Sequence, residues 1–201
     1  MQNETETQIL EAAKKVFIRK GFAGARMQEI ADEAQINKSM LHYYFRSKEF
    51  LFERIMQDSI EVMLPTFMRV ISGEGSVIEK VESLVDAYID NFLKNPHIPM
   101  FVLSEISQNR TGFLDKMKLN MKAIDQPNGF LKQIMSEQEQ GIIKQMPPNQ
   151  ILINTVSLII FPFLAKPMLM EMFDVSDDNY LVMMDKRKAL IKSFLRDALL
   201  S

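Results

Sequence analysis

The stretch MQEIADEAQINKSMLHYYF, residues 27–45, holds two short helical patterns separated by a tight break. Met27, Ile30, Ala31 and Ala34 recur at helical spacing, and the pattern stops at Gln35–Asn37. Asn37 then stands where an N-cap is expected, ahead of a second helix, KSMLHYYF. Leu41 and Phe45, four apart, turn inward with Ile30, Ala31, Ala34 and Ile36. Lys38, Ser39, His42 and Tyr43 are left outward, with Tyr44 at the edge. Two short helices joined this way make a helix-turn-helix. The outward residue types are those that contact bases, methyl groups and phosphates in a major groove.

The flanking sequence continues in the same style. Residues 5–20 place Ile9, Ala13, Val16 and Phe17 on one helical face, and Gly21 supplies a stop. Ser47 is a second candidate N-cap, opening a helix from Lys48 to about Ser72 that turns Leu51, Phe52, Ile55 and Met56 inward. Pro65 is expected to kink or interrupt it. SGEGS at 72–76 reads as a linker, and Ser76 with Glu79 forms a capping box for a helix over 77–94. Further helices are predicted at about 98–109, 111–124, 128–140, 148–172 and 177–200, with no period-two pattern between them. The expected fold is all-α, with a helix-turn-helix domain over 1–50 and a larger helical domain over 51–201, linked by the helix that starts at 48.

Composition narrows the chemistry. The 201 residues include no cysteine, which excludes thiol catalysis, disulfides and cysteine-ligated metals, and two histidines cannot build a multi-histidine metal site. No phosphate-cradling glycine pattern, nucleophile–base pair or acid pair stands out, so neither an enzyme nor a cofactor is expected. The N-terminus MQNETETQ lacks a cleavable leader, and a cytoplasmic location is the expectation. Charge is distributed unevenly: residues 1–50 sum to +1 and residues 51–201 to −3. Within the first part, 12–28 carry Lys14, Lys15, Arg19, Lys20 and Arg26, and 34–48 carry Lys38, Arg46 and Lys48, neither segment holding an acid. Clustered positive charge on a near-neutral domain suits a phosphate-contacting face. The most apolar run, ILINTVSLIIFPFLA at 151–165, holds fifteen residues against the roughly 20 a bilayer span needs. It reads as a buried or interface helix, and no membrane partner is expected.

The strings ILEAAKKVFIRKGF (9–22) and MQEIADEAQINKSMLHYYFRSKEFLFERI (27–55) resemble the DNA-binding domain of the tetracycline-repressor (TetR) family of bacterial transcriptional regulators. Three positions depart from that family's pattern. Gln35 stands where glycine is usual in the turn, His42 where an aromatic commonly follows leucine, and Ala25–Arg26 where a Thr/Ser pair usually opens the second helix. The resemblance implies that Lys48 holds a phosphate at the start of the fourth helix, and that Lys38, Ser39, His42 and Tyr43 enter the groove. Arg26, Gln28 and Tyr44 then touch the DNA backbone, and Asn37 is counted with the DNA-contacting set.

For the remaining helices, the resemblance implies an effector-binding and dimerisation body. The last two would build an interface with a second copy through Ile151, Thr155, Leu158, Tyr180, Met184, Ile191, Phe194 and Leu195. Met100, Phe101, Met117, Met121, Ile124, Met135, Phe161 and Met168 would line a pocket for a small, lipophilic effector. Asp86 and Glu105 are candidates for orienting a cation. The implied function is that of a homodimeric, ligand-responsive repressor of palindromic double-stranded operator DNA. The alternative is an all-α carrier of a lipophilic ligand, which would have no use for Lys38, His42, Tyr43 and Lys48.

Overall fold

The computed structural model describes residues 2–108 and 126–200, and among them there is no strand. The predicted helix over 111–124, with Met117, Met121 and Ile124, lies outside the described residues. Four elements open the chain: α1 (Gln2–Gly24), α2 (Met27–Glu33), α3 (Lys38–Tyr44) and α4 (Lys48–Ser72). Gly21 takes φ 67° and ψ 171°, which breaks α1 where the sequence places a stop. Asn37 and Ser47 cap α3 and α4, their side chains accepting from the backbone N–H of Met40 and Phe50. Arg26 stands at the N-cap of α2 and supplies no side-chain cap.

The turn between α2 and α3 closes on a left-handed residue that is not glycine. Gln35 adopts φ 54°, its N–H bonding to the Asp32 carbonyl while that of Ile36 bonds to the Ala31 carbonyl. That double bond is the Schellman ending of a helix, usually made by glycine because a Cβ in this region costs about 1–2 kcal/mol. The glutamine found in place of the family's glycine therefore keeps the turn, at a conformational cost.

One apolar core joins these elements. Ile9, Ala13, Val16 and Phe17 of α1 meet Ile30, Ala31, Ala34, Leu41 and Phe45, all buried. Leu51, Phe52, Ile55, Met56 and Ile60 of α4 belong to the same core, as does Phe101 from much further along. Phe52 and Phe101 stack at 5.0 Å and Phe17 meets both edge-on. Such aromatic pairs add about 0.5–1.5 kcal/mol each beyond their burial.

The body is formed by the second half of α4 with α5 (Val77–Lys94), α6 (Ile98–Gln108), α7 (Gln126–Glu139), α8 (Pro148–Leu164), α9 (Lys166–Phe173) and α10 (Asp177–Leu199). Met68, Ile71, Leu84, Ile89, Phe92, Ile134, Ile159 and Ile191 are among its buried residues. The Ser76–Glu79 capping box is present at the head of α5, and Glu137 of α7 accepts the Val77 N–H there as well. Helix α4 runs through Pro65 without interruption, its inner residues passing from the first core at Ile60 to the second at Met68.

A ladder of ion pairs sets α10 against α5. Lys188, Lys192 and Arg196, each four apart, meet Asp90, Asp86 and Glu82 in antiparallel order. Asp86 is thus engaged by Lys192 rather than set to orient a cation, and the Glu105 side chain is outside the described set. The single helix expected over 148–172 is instead two, α8 and α9, bent by 72°. Pro167 explains the break: it has no N–H for the Phe163 carbonyl, and its ring crowds that oxygen. Among the described residues, no single helix is long and apolar enough to cross a membrane.

Candidate nucleic-acid interface

The surface to be explained lies on α3 and the turns on either side of it. Leu41 is fully buried against Ile30 and Ala31, and this fixes which side of the seven-residue helix faces out. Lys38, Ser39, His42 and Tyr43 are all exposed, Tyr43 at 75%. Tyr44 is half-buried against the head core and meets the Tyr43 ring edge-on at 5.4 Å. The Gln8 amide donates to the Ala34 carbonyl at 2.8 Å and so ties the turn before α3 to α1. Asn37 spends its Oδ1 on the Met40 N–H at 2.7 Å, which is a capping role first. Gln28 is exposed and donates to Asp32 one turn on.

Charge on this head is arranged differently from its order along the chain. Of the five basic residues in 12–28, Lys14 pairs with Glu11, Lys15 and Arg19 face Glu33, and Lys20 meets Glu29 at 2.5 Å. The Lys20 hydrogen bond also holds the Glu29 carboxyl below its ordinary range. The segment that looked purely basic is therefore largely balanced by acids of α1 and α2. Exposed basic residues remain at Arg26 at the head of α2, at Lys38 on α3 and at Arg46 just past its end.

Lys48 has an internal role beside the phosphate contact that the resemblance implies. It is half-buried, its ammonium donating to the carbonyls of Phe22 (2.8 Å) and Ala25 (3.1 Å) and lying 4.6 Å from the Phe22 ring centre. It clasps the α1–α2 connection to the start of α4. Two of its three protons are thereby committed, which leaves one for a phosphate. Sequence spacing missed this because both acceptors are backbone atoms more than twenty residues away.

The body departs further from expectation. Phe101 is buried in the head core rather than lining a pocket, because α6 carries it across to Phe17 and Phe52. Met100, Met135, Phe161 and Met168 are exposed. An apolar cavity of about 90 Å³ lies elsewhere, between α4, α5 and α8, lined by Met63, Phe67, Leu84, Tyr88, Val156, Ile159 and Ile160. Its one hydroxyl, on Tyr88, donates to the Met63 carbonyl at 3.2 Å.

Six of the eight predicted interface residues are buried within the chain itself: Ile151, Thr155, Tyr180, Met184, Ile191 and Leu195. Ile191 and Leu195 of α10 join Ile151 of α8 in the body core, and Tyr180 donates to the Pro162 carbonyl. Leu158 is half-buried and Phe194 exposed, with Leu190 one turn before it at 68%. Among the described residues, no three His, Asp or Glu side chains gather as a metal site.

Residues 9–55 match the family model described as bacterial regulatory proteins, tetR family. The chain is 44% identical over 55 residues to the HTH-type transcriptional repressor NicS of Pseudomonas putida, covering 27% of this chain and 26% of that protein. It is 23% identical over 203 residues to the probable HTH-type transcriptional regulator YttP of Bacillus subtilis, covering 98% and 96% of the two. The solved ketosteroid transcriptional regulator KstR2 of Mycobacterium tuberculosis superposes with a TM-score of 0.71 over 98% of this chain and 95% of that one, at 14% identity. The chain thus spans about a quarter of the length of NicS, while the likeness to the KstR2 fold spans nearly the whole chain.

Proposed function

We infer, from the match of residues 9–55 to the tetR family of bacterial regulatory proteins, that the chain is a dimeric, ligand-responsive repressor that binds palindromic operator DNA. The observation that carries the reading is the two-sidedness of α3. Its inner residue Leu41 is sealed, while Lys38, Ser39, His42 and Tyr43 stand in solvent, with exposed Arg46 just past the helix end. A lipid carrier gains nothing from such a face, whereas a groove reader needs it. Arg26, Gln28 and the remaining proton of Lys48 supply phosphate contacts, and Tyr44 borders them.

A two-fold pair of heads is required to engage half-sites about one helical turn apart. The exposed apolar residues Leu190 and Phe194 of α10, with Leu158 and Phe161 of α8, are the surface we assign to that pairing. The 90 Å³ cavity supplies the effector site. Its apolar lining favours a small, uncharged molecule, and Met63 and Phe67 put α4 in direct contact with it. Since α4 contributes to both cores, a ligand that binds one α4 position better than another shifts the heads with it.

The test is retention of duplex DNA by the full chain across a salt series. Affinity is expected to fall with a log–log slope of about −0.9 per neutralised phosphate. A strictly monomeric protein that ignores duplex DNA in dilute buffer would overturn the reading.

A further inference from the structure

The His42 ring is fixed in one hydrogen-bonding sense by its own chain. Its Nδ1 lies 3.2 Å from the Arg46 carbonyl oxygen, one turn on and just past the end of α3. A carbonyl only accepts, so Nδ1 carries the proton and donates. The bond ties the ring to the connection between α3 and α4. In a neutral imidazole the other nitrogen, Nε2, is then a bare acceptor. The side chain is exposed on the same face as Lys38, Ser39 and Tyr43.

An acceptor on that face restricts what it can meet. Phosphate oxygens are acceptors too, so neutral His42 has no proton to give them. In the major groove the donors are the N6 amine of adenine and the N4 amine of cytosine, whereas guanine O6 and thymine O4 accept. The neighbouring side chains do not share this restriction: Lys38, Arg26 and Arg46 only donate, while the Ser39 and Tyr43 hydroxyls do either. We propose that His42 is a specificity-determining residue that reads an amino base, adenine or cytosine, against a keto base, guanine or thymine, at one position of each half-site. The proposal rests on the DNA-binding reading above and adds the chemistry of one contact to it.

The experiment uses the full chain at pH 8. A duplex is selected from a randomised pool, and each of its base pairs is then replaced by the other three. At one position per half-site, wild type is expected to bind adenine and cytosine on the contacted strand roughly three- to tenfold more tightly than guanine or thymine, the scale of one hydrogen bond. His42→Ala should bind all four within about twofold at that position and keep the remaining preferences, while Tyr43→Ala should leave the amino preference standing. Where the position holds adenine, replacing it with purine, which lacks the amine, should weaken wild type by the same factor and leave His42→Ala unaffected.

The proposal is overturned if His42→Ala changes no position, or if the position it changes favours guanine or thymine in wild type. Failure to select any duplex at all would instead overturn the DNA-binding reading, and this proposal with it.

Discussion

Acid should unfold this protein through His97. The residue precedes α6, is 8% exposed, and meets the Phe101 ring edge-on at 5.7 Å. Burial lowers its pKa from the ordinary 6.5 to about 4, helped by the nearby Lys14 charge and opposed by Glu11. The folded state therefore binds the proton less well than the unfolded chain, so stability rises with pH between those two values. Its contribution is intact above pH 6.5 and falls as the solution is acidified through that window. At pH 5 the unfolded chain is favoured by about 2 kcal/mol relative to pH 7, and at pH 4 by about 3 kcal/mol, taking 1.36 kcal/mol per unit.

Carboxylates such as Glu49 and Glu79, held low by backbone and serine hydrogen bonds, also lose stability in acid. The decisive quantity is thus the difference between wild type and His97→Leu, measured by urea unfolding followed by circular dichroism at pH 7, 6 and 5. Wild type should lose about 2 kcal/mol more than the variant over that range. With two histidines in the chain, the His97 ring resonance is identified by its absence from the variant, and its titration gives the pKa directly. Parallel stability profiles, or a His97 resonance titrating near 6.5, would refute the reasoning.

Other consequences can be read with simpler measurements. Gln35→Gly relieves the left-handed glutamine and should raise unfolding free energy by about 1 kcal/mol, whereas Gln35→Val should lower it, both by denaturant midpoint. Lys48→Ala removes the clasp on the Phe22 and Ala25 carbonyls. It should cost about 1.5–3 kcal/mol of head stability and weaken DNA binding on all sequences alike, by thermal melt and fluorescence anisotropy. The double variant Leu190→Asp, Phe194→Asp should sediment as a folded monomer, since both side chains are exposed within one chain. A dimer that survives both charges would move the pairing surface elsewhere.

The head was legible in the sequence because its information is local. Apolar spacing in 27–45 gave the inner side of α2 and α3, and Asn37, Ser47 and Ser76 announced helix starts that the structure places within a residue. The body was legible only as helices. An apolar stripe such as Tyr180, Met184, Ile191 and Leu195 says that something covers it, but not whether that is the same chain or a second copy. Phe101 was assigned to the wrong neighbourhood for the same reason, since its partners Phe17 and Phe52 lie 84 and 49 positions away in sequence. Charge misled in a related way: Lys15 and Arg19 lie in an acid-free run, yet face Glu33 across the α1–α2 packing.

The sharing of α4 between two cores, with Phe101 threaded back into the first, bears on how heads can be exchanged between regulators. A graft cut at residue 50 would strip Leu51, Phe52, Ile55, Met56 and Ile60 from the transplanted head and leave them facing a stranger's helices. A chimera joined after residue 60, with the residue at 101 matched to the incoming Phe17 and Phe52, would carry the whole aromatic nest intact.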